Sequence, residues 1–415
     1  MKVSRKLVMG VALFLLSCLL LTTAYGGAEK IKMTIMIAGA DDKTANEVVK
    51  KVVGHFADKY EITSKPWDTN NVEKIIKTTI AAGNPMDLAM YWPASMETFV
   101  NANMALDLTP YLEENNGAWK KQFTNNSLEI GTYHGKVYAV PYSSVYPLIE
   151  ANKDIFDKAG VAIPKDSWTW DEFMKACAKI KAKTGVYPVG LYRDWACWII
   201  RNGLMNIWPN KAMMQDFYTG KIPFTNPSVI KVFDNTKKLY DHQYLYPGKG
   251  ALTATLDQIN IGFKQGKVAM KMDVNILTAK SIAQSGLKHV AILSWPKMGP
   301  LDYIMGGCNG YMVPANALHP KDSIEIIKYL TSPEIAQIQA DNGMPVTING
   351  VKSKDPNLAL YSKDTPRLFP KEIIQLSPQM DDYICKKMPA NYIFDSKSSL
   401  AELEKIRQEI LKDKN

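Results

Sequence analysis

Arg193-Asp194-Trp195-Ala196-Cys197-Trp198 gathers in one short stretch the side chains that hold a polyhydroxylated ring. Such a ring offers weakly apolar C–H faces and a rim of hydroxyls. Aromatic platforms suit the faces, and planar carboxylate, carboxamide or guanidinium groups suit the hydroxyls. Binding pockets in general combine an apolar lining with a few placed polar groups. Trp195 and Trp198 are three apart and share a face if this stretch is helical. The same chemistry recurs at Trp67-Asp68 and at Tyr91-Trp92. Asn309 stands in Gly306-Gly307-Cys308-Asn309-Gly310, which reads as a loop whose glycines permit close backbone approach. Each position also has a plainer role. Trp198 beside Ile199 and Ile200 suits a core, Trp92 beside Pro93 suits interdomain packing, and Asp68 suits a turn at Asn70 or Asn71.

Catalytic chemistry finds little footing. There is no G-x-S-x-G, no H-E-x-x-H and no phosphate loop, and the five histidines are scattered. Hydrolysis of a glycoside needs two facing carboxylates, for which only Asp194 and Asp273 offer themselves. A non-enzymatic binding protein without cofactor or metal is expected. Acids and bases are interleaved along the chain, which argues against a nucleic-acid interface. Cys177, Cys197, Cys308 and Cys385 form no C-x-x-C pair and have no zinc-ligand spacing. Buried thiols and disulfides both stay open for them.

The elements that must position these residues alternate. Lys32 to Ile37, Tyr60 to Pro66 and Asp87 to Tyr91 read as strands, and Thr44 to Phe56 and Val72 to Ala82 as helices. This is parallel-sheet α/β architecture, in which ligands sit at the carboxyl ends of strands. One rim is therefore expected at 38–42, 66–69 and 91–95. Val137 to Tyr142, Tyr187 to Tyr192, Val268 to Met272 and Val290 to Trp295 are further strands. Thr169 with Glu172 forms a capping box before a helix. The length of 415 residues exceeds one ordinary core and predicts two lobes.

The chain opens with an export address. Lys2, Arg5 and Lys6 precede an apolar run from Leu7 to Leu21 and the small residues up to Gly26. That run is about 15 residues, short of the roughly 20 that span a bilayer. Residues 1–26 are expected to be a signal peptide of an exported, periplasmic protein. Leu15-Leu16-Ser17-Cys18 also resembles a lipoprotein box, so anchoring through Cys18 stays open. The leader carries three positive charges and no negative ones, so its removal lowers the net charge from +9 to +6.

Several landmarks then fall in a familiar order: Gly135 to Pro141, Ala151 to Phe156 with Ala159-Gly160, Trp168 to Phe173, Gly266 to Met270, Gly306-Gly307, and Tyr329 to Glu334. Together they resemble the extracellular solute-binding proteins of ABC importers, in the sugar-binding group that includes maltose-binding protein. The resemblance implies a two-lobed periplasmic-binding-protein clamshell of type II, each lobe a sheet flanked by helices. Residues 29–143 and 306–344 would form lobe 1, and 144–305 and 345–415 lobe 2. Three crossings near Ser143–Leu148, Ile304–Gly307 and Met344–Val346 would form the hinge, which makes Tyr142, Ser143 and Tyr146 candidate ligand contacts at the first crossing, and Asp273 and Asn275 candidates at the group's binding position. A monomer would capture a small solute, foremost a carbohydrate, and deliver it to membrane permease subunits. The chain departs from the group at Asp273-Val274-Asn275-Ile276, where a stacking tryptophan is usual, and at Ala151, where a tyrosine is usual. A polyamine or organic anion in the same fold therefore stays open.

Overall fold

The computed structural model describes residues 29–39, 42–68, 71–124, 127–165, 167–369 and 378–413. The leader with Cys18, and Ala40, Asp41 and Thr69 of the expected rim, lie outside the described residues. In chain order come β1 (Ile31–Ala38), α1 (Lys43–His55), β2 (Tyr60–Pro66), α2 (Val72–Ala81) and β3 (Leu88–Tyr91). β4 (Val140–Val145) and β5 (Pro147–Asn152) follow with Tyr146 alone between them. Next are α3 (Trp170–Thr184), β6 (Tyr187–Gly190), α4 (Cys197–Asn206), β7 (Val268–Val274), α5 (Asn275–Ser285) and β8 (Val290–Leu293). The chain returns through β9 (Gly307–Met312), α6 (Pro320–Leu330) and α7 (Pro333–Asp341), and its last helix is α8 (Ser396–Asp413).

These strands build two sheets. The first has the order β2-β1-β3-β9-β4 and the second β8-β5-β7-β6. In the first sheet alternate residues feed different cores. Ile35, Leu88 and Met90 pack on one face, and Met36, Ala89 and Tyr91 on the other. Such two-sided burial is what the near-continuous apolar strands of a covered parallel sheet require. Helix starts are held locally: Asp42 accepts from Ala45 N, and Thr169 and Glu172 form the reciprocal capping box.

Register gathers the strand ends on one rim of each sheet. β9 runs antiparallel to both β3 and β4, pairing Gly310 with Tyr91 and Gly307 with Val145. The carboxyl ends of β3 and β4 and the start of β9 therefore share one edge. In the second sheet Pro147 pairs with Val274, and Gly190 with Lys271. The start of β5 and the carboxyl ends of β6 and β7 thus share the other edge. One residue separates β4 from β5, so the two edges abut.

The segment 306–310, expected as a loop, is largely strand β9. Its glycines serve packing rather than turning. A Cβ on Gly310 would lie 2.5 Å from Pro93 Cγ and 2.6 Å from Val140 O. One on Gly306 would lie 2.3 Å from Val145 O, so only glycine lets this strand pass so near β4.

The passage at Tyr146 is clamped by Asn275. Tyr146 N donates to Asn275 Oδ1 at 3.0 Å, Asn275 Nδ2 donates to Ser144 O at 3.1 Å, and Asn275 N donates to Tyr146 O at 3.0 Å. Tyr146 OH donates to Tyr361 O at 2.5 Å. A second correction concerns residues 345–354, expected in lobe 2. Ile348 sits in the core beneath the first sheet, Thr124 N donates to Thr347 O at 2.8 Å, and Lys354 N donates to Asp341 Oδ1 at 2.8 Å. The chain joins the second lobe near Tyr361, which packs with Leu148 and Ile292.

Asn275→Ala leaves Tyr146 N–H and Ser144 C=O buried without their partner. The expected loss is about 3 kcal/mol of stability, read as a shifted urea midpoint with an unchanged slope.

Candidate functional site

Each rim carries an aromatic group. On the second lobe, β6 ends in Leu191-Tyr192, and a single 3₁₀ turn, Arg193–Trp195, leads into α4. Trp195 and Trp198 stack face to face, with centroids 4.8 Å apart and planes 12° apart. Tyr192 meets Trp195 edge-on at 5.3 Å. All three are partly exposed, and the two tryptophans lean on the large core of this lobe. Offset stacks and edge contacts are the favoured aromatic geometries. Arg193 and Asp194 are exposed beside them, with Arg193 Nε 3.2 Å from Asp194 Oδ1, and Tyr192 OH donates to Asp194.

On the first lobe, Trp67 follows β2 and Trp92 follows β3. Their rings meet edge-on at 5.8 Å, and Trp67 Nε1 donates to Met90 O at 3.0 Å. Both are partly exposed. Asp68 is exposed and accepts from Asn71 Nδ2 at 2.8 Å, holding the start of α2.

The remaining candidate residues point inward. Tyr91 is 2% exposed because strand alternation turns it into the core, where its hydroxyl donates to Glu73 Oε2 at 3.1 Å. Tyr142 stacks on Tyr311 at 4.7 Å inside the first lobe. Asn309 is buried in β9 rather than displayed by a loop. Tyr146 and Asn275 are spent on the crossing described above. Ser143 is fully buried at the same crossing, and its Oγ has no hydrogen-bond partner among the described residues.

Asp273 is also internal. Alternation in β5 and β7 puts Glu150 directly opposite Lys271, with Asp273 on the same face. Lys271 Nζ lies 2.5 Å from Asp273 Oδ2 and 3.3 Å from Glu150 Oε2, and all three side chains are at most 2% exposed. Ser281 of α5 donates to Glu150 Oε2 at 2.7 Å. Asp273 thus balances a buried lysine and is shut off from solutes.

The sequence missed two features. Tyr192 was legible only as a strand end. A cavity of about 260 Å³ lies between the lobes, lined by Thr124, Glu129 and Ser144 on one side and Thr365, Pro366 and Leu368 on the other. Its lining comes from segments too far apart to be joined from sequence. Among the described residues no group of three or more His, Cys, Asp and Glu side chains is placed to hold a metal.

Two α/β lobes, each with aromatic side chains at its strand ends, have the architecture of a two-lobed solute-binding protein. Residues 51–358 match the bacterial extracellular solute-binding protein family, and the chain belongs to it. It is 28% identical to a binding protein of Brucella abortus (strain 2308), over 60% of this chain and 59% of that one. It is 27% identical to the sn-glycerol-3-phosphate-binding periplasmic protein UgpB of Rhizobium meliloti (strain 1021), over 57% of this chain and 55% of that one. The match thus spans less than two thirds of these curated relatives. The fold is that of a solved chitin oligosaccharide binding protein: TM-score 0.74, 22% identity, covering 92% of this chain and 99% of that one.

The buried trio makes stability depend on pH. Burial foremost, with the Asp273 carboxylate beside it, pushes the Glu150 carboxyl up from its ordinary 4.5 to about 8. Between those values the unfolded chain has released this proton and the folded chain keeps it. Stability from this group is therefore present below about 4.5 and lost as pH rises through about 8. Glu150→Gln should flatten that loss. Urea unfolding at pH 5 and pH 8.5 is expected to show the variant gaining at least about 1 kcal/mol on the wild type at the higher pH.

Proposed function

We propose that the chain is the substrate-binding component of an ABC importer and that its solute is a carbohydrate. The observation that carries this is the stacked Trp195–Trp198 pair with Tyr192 at the strand ends of one lobe and the Trp67–Trp92 pair at the strand ends of the other. Partly exposed aromatic faces in a cleft suit the C–H faces of sugar rings. Arg193 and Asp194 supply planar donors and acceptors for hydroxyls beside them. The fold likeness to a chitin oligosaccharide binding protein supports the same class. A second reading is a small phosphate ester, supported by the match to a glycerol-3-phosphate-binding protein and by exposed Arg193 on the rim.

The mechanism is reversible capture, without bond making or breaking. Solute docks on the second-lobe aromatics while the rims are apart. The first-lobe tryptophans then approach it as the lobes close about the crossings, a known motion of such folds. Ligand favours closure only through contacts it makes better in the closed form. The closed protein works as an exported monomer and hands solute to permease subunits in the membrane. Asp68, exposed on the first rim, is a further polar contact for hydroxyls.

A thermal-shift screen of the mature protein against saccharides, polyols, polyamines and phosphate esters tests this. A ligand of the folded state raises the melting temperature by mass action. A saccharide hit is expected. Trp195→Ala should weaken that binding at least about tenfold, or about 1.4 kcal/mol, with little loss of fold stability. A shift from glycerol phosphate alone would move the assignment to the phosphate ester. Unchanged saccharide affinity in the variant would reject the proposed platform.

A further inference from the structure

Two sulfur atoms that solute binding leaves unused meet beside the tryptophan platform. Cys197 begins α4, one residue before Trp198. Cys385 lies in a π-helical turn, Tyr383–Lys387, far along the chain. Such turns are rare and frequently mark functional positions. The Cys385 thiol adjoins that of Cys197; Cys197 Sγ lies 3.6 Å from Asp194 O, and Cys385 Sγ donates to Asp381 Oδ1 at 3.5 Å. Arg201, one helical turn beyond Cys197, donates from Nη1 to Cys385 Sγ at 3.6 Å. Residues four apart share a helix face, so the arginine contact independently seats Cys385 over the face that carries Cys197. Cys177 lies on α3 in the second-lobe core and Cys308 on β9 in the first lobe. All four are thiols in this structure.

We propose that Cys197 and Cys385 are an oxidative modification site and form an intramolecular disulfide in the exported protein. The family is extracellular, and disulfides persist in such oxidising surroundings. The co-reactant is a disulfide, carried by a protein or a small molecule. One cysteine thiolate attacks its S–S bond and releases one oxidant sulfur as a thiol. The second cysteine then attacks the mixed disulfide, the Cys197–Cys385 bond forms and the other oxidant sulfur leaves. The two cysteines give up two protons and two electrons, and the oxidant gains them as two thiols. The bond ties the π-helical turn to the first residue of α4 and so fixes the helix start that presents Trp198.

The test reads masses and needs no solute, so its outcome is independent of the carbohydrate assignment. The full chain is exported from a bacterial host through its own leader, denatured in iodoacetamide without reductant, digested and weighed. The expected result is a linked pair of peptides containing Cys197 and Cys385, two hydrogen masses lighter than their sum and absent after dithiothreitol. Cys385→Ser should abolish the link and leave Cys197 alkylated. Full alkylation of both cysteines in the unreduced wild type, or a link from either one to Cys177 or Cys308, would overturn the proposal.

Discussion

The side-chain amide of Asn275 fixes the geometry on which both rims depend. β4 leaves the first sheet and β5 enters the second with a single residue between them. Neither sheet ladder pairs the backbone there, and the site is dry: Tyr146 and Asn275 are at most 1% exposed. Buried backbone groups demand partners. A carboxamide is the group that both donates and accepts from one plane, and Asn275 uses both capacities on residues 144 and 146. Its own N–H closes the ring on Tyr146 O. Because Asn275 is also the first residue of α5, the orientation of that helix is set by the strand that joins the lobes.

The same helix is held again midway. Ser281 reaches both Glu150 and Lys271 in the buried trio between β5 and β7. Lys271 and Asp273 are a buried ion pair, and Glu150, protonated below about pH 8, joins them through Ser281, so these contacts pin α5 and the strands to one another. Together the clamp and the trio make the second lobe a firm support right up to the crossing. A firm support is what capture by two rims needs. Aromatic faces that shifted freely would have to be ordered at the moment of binding, and that ordering would reduce affinity.

Much of the fold was legible in residue patterns. The strands and helices of the first lobe announce themselves by period, and Thr169 with Glu172 marks its helix start as sequence rules require. The spacing of Trp195 and Trp198 correctly predicted that they share a face. What failed was the direction of side chains at strand ends. Tyr91, Tyr142, Asn309 and Asp273 have the right types for a site, yet strand alternation and a register shift at Asn309 turn them inward. A one-residue change of phase moves a side chain to the other face, and that phase is set by partner strands distant in sequence. Asp273 also shows how a buried lysine recruits nearby acids, a demand visible only once Glu150 and Lys271 are seen to pair. The glycines at 306 and 310 read as a turn because their true reason, close approach of Val145, Pro93 and Val140, is tertiary.

Closure of two rims upon a solute is the central claim. Small-angle X-ray scattering of the mature protein, alone and saturated with the saccharide that most raises its melting temperature, tests it most directly. The account predicts a smaller radius of gyration and a shorter maximum dimension in the bound state. Identical scattering curves at proven saturation would contradict it.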